Sequence, residues 1–365
     1  VTDDVFEEDF LEPDLSHLET MMPYFTEVEV LAAKKIMATF GGETKYSVNY
    51  GEQRLFMRDH DNFNLMCYVD VFNKNNGNIN IIEVKATTSN KFLKMQYSID
   101  KVKYSLFYVD DDNILHLREK RYPELLENSK YLKQRNKLFD RLESAGVYVY
   151  DLAFQRFVIE EEIDNAKYYL GVINHEYEFD GQYIDDKPLY TNEIIRLIDL
   201  TVITKEMLPK IKKDIDLVVK RILDDDEKRV KLGKHCQLKK MRECIYKDLC
   251  YDRFPKKNSI LMYLDKHHGF KEEDGKKHDY FDLIEEGYYS MEDVPHSWLN
   301  RKNNRIQREI AMSHGIHKNL NKINSALREI KYPIYHLDFE SFPCPLPRFK
   351  GERAYMQSLF QFSLH

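Results

Sequence analysis

The chain has 365 residues, 42% hydrophobic and 32% charged, which is enough for two or three domains with real cores. It has no apolar run near the ~18 residues of a membrane span, no opening signal peptide, and only five cysteines, too few for a secreted disulfide framework. A soluble protein of a reducing cytoplasm, with no membrane partner, is the expectation. Net charge is −7, yet residues 1–30 carry ten acidic side chains and no Lys or Arg, so the remaining 335 residues sum to +3 and whole-chain acidity does not exclude nucleic acid.

The chain opens on Val1 rather than Met, and residues upstream of it are expected. Residues 1–25 read as an acidic N-terminal arm with few periodic apolar positions. Thr26 to Phe40 reads as a helix stopped by Gly41-Gly42, and Tyr46 to Phe56 as a strand. Met66 to Thr88 then reads as a hairpin. Both arms are rich in β-branched and aromatic residues, and Asn76-Gly77 suits a tight turn. Strand alternation puts Glu83 and Lys85 on one face and Ile82 and Val84 on the other, with Asp70 facing the first pair from the neighbouring arm. Two carboxylates with an amine beyond the second suit a divalent-metal phosphodiester nuclease. Asp70, Glu83 and the Val84 carbonyl would hold Mg²⁺ or Mn²⁺ through hard oxygen ligands. Lys85 would orient the attacking water or steady the developing phosphorane charge.

Residues 89–146 read as a charged, mostly helical insertion with a helix from Pro123 to Ala145. Asp151 to Ile159 reads as an apolar helix carrying Gln155, Ala166 to Tyr177 as a core strand before a turn at Asp180-Gly181, and Lys205 to Asp224 as a helix with a core stripe of Leu208, Ile211, Ile215, Val218, Val219 and Ile222. Lys228 to Lys257 holds eleven basic against three acidic residues, a local +8 that would meet a phosphate backbone or form a solvated helical face. Within it, Cys236, Cys244 and Cys250 suit a [4Fe–4S] cluster or zinc, with His235 as a substitute ligand for zinc. Cys67, by contrast, reads as a small buried hydrophobe. Residues 258–330 read as a helical linker, with Tyr263, Leu264, Tyr280, Leu283, Ile284, Tyr288 and Tyr289 as core and a helix from Asn303 to Ile330. From residue 331 a strand carries Asp338 and Glu340 at period two, hence on one face.

The Asp70, Glu83-Val84-Lys85 pattern resembles the PD-(D/E)XK superfamily in its RecB-type branch. That resemblance implies a mixed sheet flanked by helices, a further metal-side carboxylate on the preceding helix (Glu29 or Glu27), and an active-site Gln on the following helix, where Gln155 stands. Iron–sulfur members of that branch pair three downstream cysteines, as here, with one distant upstream cysteine, which the resemblance leads us to expect before Val1. Asp338-Phe339-Glu340 resembles the first strand of DEDD exonucleases of RNase H-like fold, which implies that Asp338 and Glu340 are metal ligands for two-metal phosphodiester cleavage. The order of these motifs, together with Phe360 to His365, is similar to the family of domain of unknown function 2779, which joins the two nuclease types. The implied architecture is a RecB-type nuclease domain at 26–230, a basic Cys segment at 231–257, the linker at 258–330 and the start of an RNase H-like domain at 331–365. The implied activity is metal-dependent hydrolysis of DNA rather than RNA, an exonuclease on single-stranded ends in repair or defence, with protein partners from those processes. The rival expectation is a catalytically inactive nucleic-acid-binding or scaffold subunit.

Overall fold

A computed structural model describes residues 15–46, 53–224, 231–233, 236 and 246–365, without the side chains of 15–19, 247 and 248. Residues 228–230, 234, 235 and 237–245 of the basic segment, which include His235 and Cys244, and residues 1–14 of the acidic arm lie outside the described residues. The chain divides into two compact units: Val1–Asp225 with Phe339–Phe362, and Asp226–Asp338 with Ser363–His365.

The first unit begins with helix α1 (Leu15–Phe40), which starts well before the expected Thr26 and carries Pro23 within it. Val28, Leu31, Ala32, Ala33 and Ile36 are buried at helical spacing. The helix stops at Phe40 because Gly41 and Gly42 take left-handed φ angles of 62° and 72°; a Cβ on Gly42 would lie 2.4 Å from the Lys74 carbonyl oxygen.

Strand β1 (Glu43–Tyr46) follows, then the hairpin of β2 (Arg54–His60) and β3 (Phe63–Val69), then the hairpin of β4 (Val71–Asn75) and β5 (Asn78–Thr88). Asn76 (φ 49°) and Gly77 (φ 84°) make the expected two-residue turn, with Asn75 paired to Asn78. The first arm of the expected hairpin is not one strand. Met66 to Val69 pair with β2, only Val71 to Asn75 pair with β5, and the chain bends between them at Asp70.

Residues 89–146 are also not the helical insertion expected. They form β6 (Gln96–Ile99), β7 (Val102–Ser105), β8 (Phe107–Val109) and β9 (Ile114–Leu117), followed by short 3₁₀ turns and one helix at Ser129–Arg135. Helix α2 (Gly146–Ile159), β10 (Ala166–Ile173), β11 (Ile195–Asp199) and α3 (Thr201–Leu223) complete the unit. One mixed sheet runs in the order β1-β4-β5-β10-β11-β9-β8, with β5/β10 and β9/β11 parallel. Strands β8 and β9 therefore belong to the central sheet.

Side chains on β5 alternate between two cores. Ile82 and Val84 join α1 on one face, while Ile81 joins Leu152, Ala153 and Val158 of α2 and Ile211 and Ile215 of α3 on the other. Burial on both faces is what a central strand beside a parallel neighbour requires. The stripe on α3 is narrower than expected: Val218 and Ile222 are exposed. The chain from Cys344 to Tyr355 packs on the α1 face of this unit, burying Leu346 and Ala354 there, with the Tyr190 hydroxyl donating to the Pro347 carbonyl at 2.8 Å.

The second unit has its own small core of Phe254, Ile260, Tyr263, Phe270, Tyr280, Leu283, Ile284, Val294 and Leu299. Leu264, expected there, is exposed. The expected helix 303–330 is two helices, Lys302–Ser313 and Leu320–Glu329, separated after His314 turns left-handed. Among the described residues no helix is long and apolar enough to cross a membrane.

Candidate active site

Asp70 occupies the bend between the two hairpins, one residue before the Val71↔Ile82 pair, so its side chain stands opposite Glu83. The Val84 amide donates to Asp70 Oδ2 at 2.8 Å and the Gln53 amide nitrogen to Oδ1 at 3.4 Å. Burial pushes the Asp70 carboxyl up to about 8. The charges of Glu83 and Glu29 push the same way, against the Val84 N–H and the Lys85 ammonium.

Glu83 is 6% exposed. Its Oε2 accepts from Gln155 Nε2 at 2.5 Å, and its Oε1 lies 2.6 Å from Lys85 Nζ. Lys85 Nζ is also 3.9 Å from Asp151 Oδ2. Asp151 and Gln155 are four apart on α2, hence on one helical face, and that face lies over the Glu83 and Lys85 face of β5. Burial alone would lower the Lys85 pKa, but the surrounding Glu83, Asp151 and Asp70 carboxylates raise it above the usual lysine value.

Of the two α1 candidates, Glu29 is the one that senses the site. Its carboxyl is raised by burial and then by the Glu83 charge, with Lys85 opposing. Glu27 is raised by burial and answers to Lys187 and Lys34 instead. Asp70, Glu83, Lys85 and Gln155 are thus brought together, with Glu29 within electrostatic reach. Val84 contributes its N–H to Asp70 while its side chain packs beneath α1.

Two buried amide oxygens, Gln155 Oε1 and Gln53 Oε1, have no hydrogen-bond partner among the described residues, although each side chain donates to one of the two carboxylates. A buried acceptor left unsatisfied costs about 1–3 kcal/mol. The donor set is all oxygen, which suits a hard divalent cation. Among the described residues no three His, Cys, Asp or Glu side chains stand close enough to hold a metal by themselves. Any cation here would be held by the carboxylate pair and complete its shell with backbone, solvent or substrate oxygens, the usual habit of Mg²⁺.

The other expected ligands lie elsewhere. Cys236 is partly exposed and Cys250 exposed, while Cys67 packs in the first unit's core with its Sγ 4.0 Å from the Gln155 carbonyl. Asp338 and Glu340 are both exposed on the strand Leu337–Pro343. A separate cavity of about 570 Å³ in the first unit, lined by Asp110, Glu176, Glu178, Glu193 and Arg196 among others, shares no residue with the Asp70–Glu83 site.

Two residues of the site escaped the sequence argument. Gln53 would have emerged had Asp61-Asn62, between two alternating runs, been taken as a hairpin turn; Asp151 sits one helical turn before Gln155.

Residues 335–365 match a protein family described as "Domain of unknown function (DUF2779)". No curated protein and no solved structure matches the chain.

Proposed function

We propose that the chain is a Mg²⁺- or Mn²⁺-dependent nuclease of the PD-(D/E)XK type, RecB-like, that hydrolyses phosphodiester bonds of DNA from single-stranded ends. The observation that carries this reading is the convergence of Asp70, Glu83 and Lys85 from two adjoining strands, backed by Gln155 on the covering helix. The helix–hairpin–helix–strand order of α1, β4–β5, α2 and β10, with β10 parallel to β5, supports the same fold type. The match at 335–365 supports the wider resemblance without assigning chemistry.

Asp70 and Glu83 would hold the cation, with the Val84 carbonyl as a third oxygen and Glu29 adding negative charge from α1. A bound divalent cation would supply Lewis-acid stabilisation of the phosphoryl oxygens and a more acidic water. Gln155 fixes the Glu83 carboxylate by donating to it, leaving the other oxygen oriented toward Lys85. Lys85, kept protonated by three carboxylates, is a hydrogen-bond donor and positive charge rather than a general base. It would orient the attacking water or meet the negative charge that builds on the phosphate as the P–O bond to water forms and the bond to the leaving oxygen breaks.

The test is degradation of end-labelled single-stranded DNA by purified protein with Mn²⁺ or Mg²⁺. Glu83→Gln and Lys85→Ala should each lower the rate by at least about 10²-fold. Activity indifferent to both substitutions would refute this site.

A further inference from the structure

The face of the β2–β3 hairpin that carries the candidate metal ligand continues, away from the site, as an exposed apolar surface. The register pairs Leu55 with Tyr68 and Met57 with Met66. By strand alternation these four side chains share a face with Gln53 and Asp70, whose hydrogen bond forms the next rung of the same ladder. The reverse face is the packed one, with Phe56, Cys67 and Val69 all buried. On the open face Leu55 is 40% exposed, Met57 50%, Met66 49% and Tyr68 36%. The face carries no charge between Asp70 at the site end and Asp59 near the tip. A contiguous apolar strip beside a candidate site is the kind of surface patch that is often functional.

We infer that this strip is a platform for the unstacked bases of the single strand whose phosphate is presented to Asp70 and Glu83. The inference rests on the nuclease reading and adds the part of the substrate that this surface recognises. Rungs on one strand face repeat every two residues, about 7 Å, close to the reach of one nucleotide of an extended, unstacked strand. A backbone anchored at the Asp70 rung would therefore lay about two bases across the Leu55–Tyr68 and Met57–Met66 rungs. An aromatic ring, an aliphatic chain and two polarisable thioethers accept any base face without reading its edge. Among the described residues of this face no cationic side chain stands ready to hold phosphate, so its contribution would come from the bases. That distinguishes it from a basic groove, which tracks the backbone.

The experiment compares a fluorescent oligothymidylate of about a dozen nucleotides with an abasic oligomer of equal length, bound in Ca²⁺ and measured by anisotropy, for wild type, L55S/M57S/M66S and M57L/M66L. Wild type should hold the base-bearing oligomer about tenfold tighter than the abasic one. The serine variant should fall to the abasic affinity while its own abasic affinity stays unchanged, and the leucine variant should keep the preference. A serine variant that retains base preference, a wild type without any, or a concentration-dependent dimer dissolved by the same substitutions would overturn the platform. No binding of either oligomer would overturn both the platform and the nucleic-acid reading. Glu83→Gln separates the two ideas: base preference that persists while cleavage is lost supports both, whereas cleavage unaffected by that change removes only the assignment of the catalytic site.

Discussion

Asp70→Asn should make the cation-depleted protein more stable at alkaline pH while removing its activity. In the fold the Asp70 carboxyl is raised from 3.8 to about 8, first by burial and then by Glu83. Below about pH 4 both the folded and the unfolded chain hold the proton, and the substitution should change nothing. Between about 4 and 8 the unfolded chain ionises while the folded one resists, so the native state binds more protons and stability falls as pH rises. Above about 8 the folded chain carries the full cost of a buried carboxylate beside Glu83. At ~1.36 kcal/mol per unit the shift corresponds to roughly 6 kcal/mol, and relaxation with water entry reduces this to about 2–5 kcal/mol. The substituted amide keeps the acceptor for the Val84 N–H and sheds the charge. For a unit of this size the expected gain is a Tm higher by at least about 5 °C at pH 8.5, shrinking to a small fraction of that at pH 4.5. The assay is thermal unfolding in excess chelator across that pH range, repeated with Mn²⁺, which should raise the wild-type Tm and leave that of Asp70→Asn unmoved. A Tm gap independent of pH, or a loss at pH 8.5, would refute the reasoning.

Gln155→Ala should leave the fold intact and weaken Mn²⁺ binding or turnover by about 10- to 100-fold, because Glu83 loses its orienting donor; an unchanged Mn²⁺ titration would count against that role. Asp199, although burial opposes it, is held down to about 2 by hydrogen bonds from His116 and Thr201, so Asp199→Asn should cost about 2 kcal/mol in urea unfolding at pH 7. That stabilisation is present above about pH 4 and fades as pH falls toward 2, so the gap should be clearly smaller at pH 3. Cys67 is buried and pushed up to about 12, first by burial and then by Glu83, so iodoacetamide at pH 8 should leave it unmodified in the folded protein while labelling exposed Cys250; mass spectrometry of the peptides would decide.

What the sequence made legible is what local chemistry fixes. Asn76-Gly77 can adopt the turn on its own, and alternation then aligns Glu83 with Lys85, so the second half of the hairpin and the face of the site follow directly. Gly41-Gly42 ends α1 for the same local reason. The bend at Asp70 was not legible, because Met66 to Phe72 is a continuous β-forming run and only pairing with two different strands splits it. Strands β8 and β9 were hidden by their shortness: three and four residues within a charged segment carry little propensity, and they form because β9 lies beside β11 in the sheet. The early start of α1 was masked by acidic composition and by Pro23, both of which argue locally against a helix that continues through them. On α3, Val218 and Ile222 fit the helical period as well as their buried neighbours Ile215 and Val219 do, and only the extent of the packed surface separates them.

The most direct test of the central claim is a crystal of the protein soaked in Mn²⁺ and measured at the manganese edge. An anomalous peak bridging the Asp70 and Glu83 carboxylates, at about the 2.0–2.2 Å of a hard-cation–oxygen bond, is the expected result. A peak elsewhere, or none at these side chains in a preparation that still cleaves DNA, would contradict it.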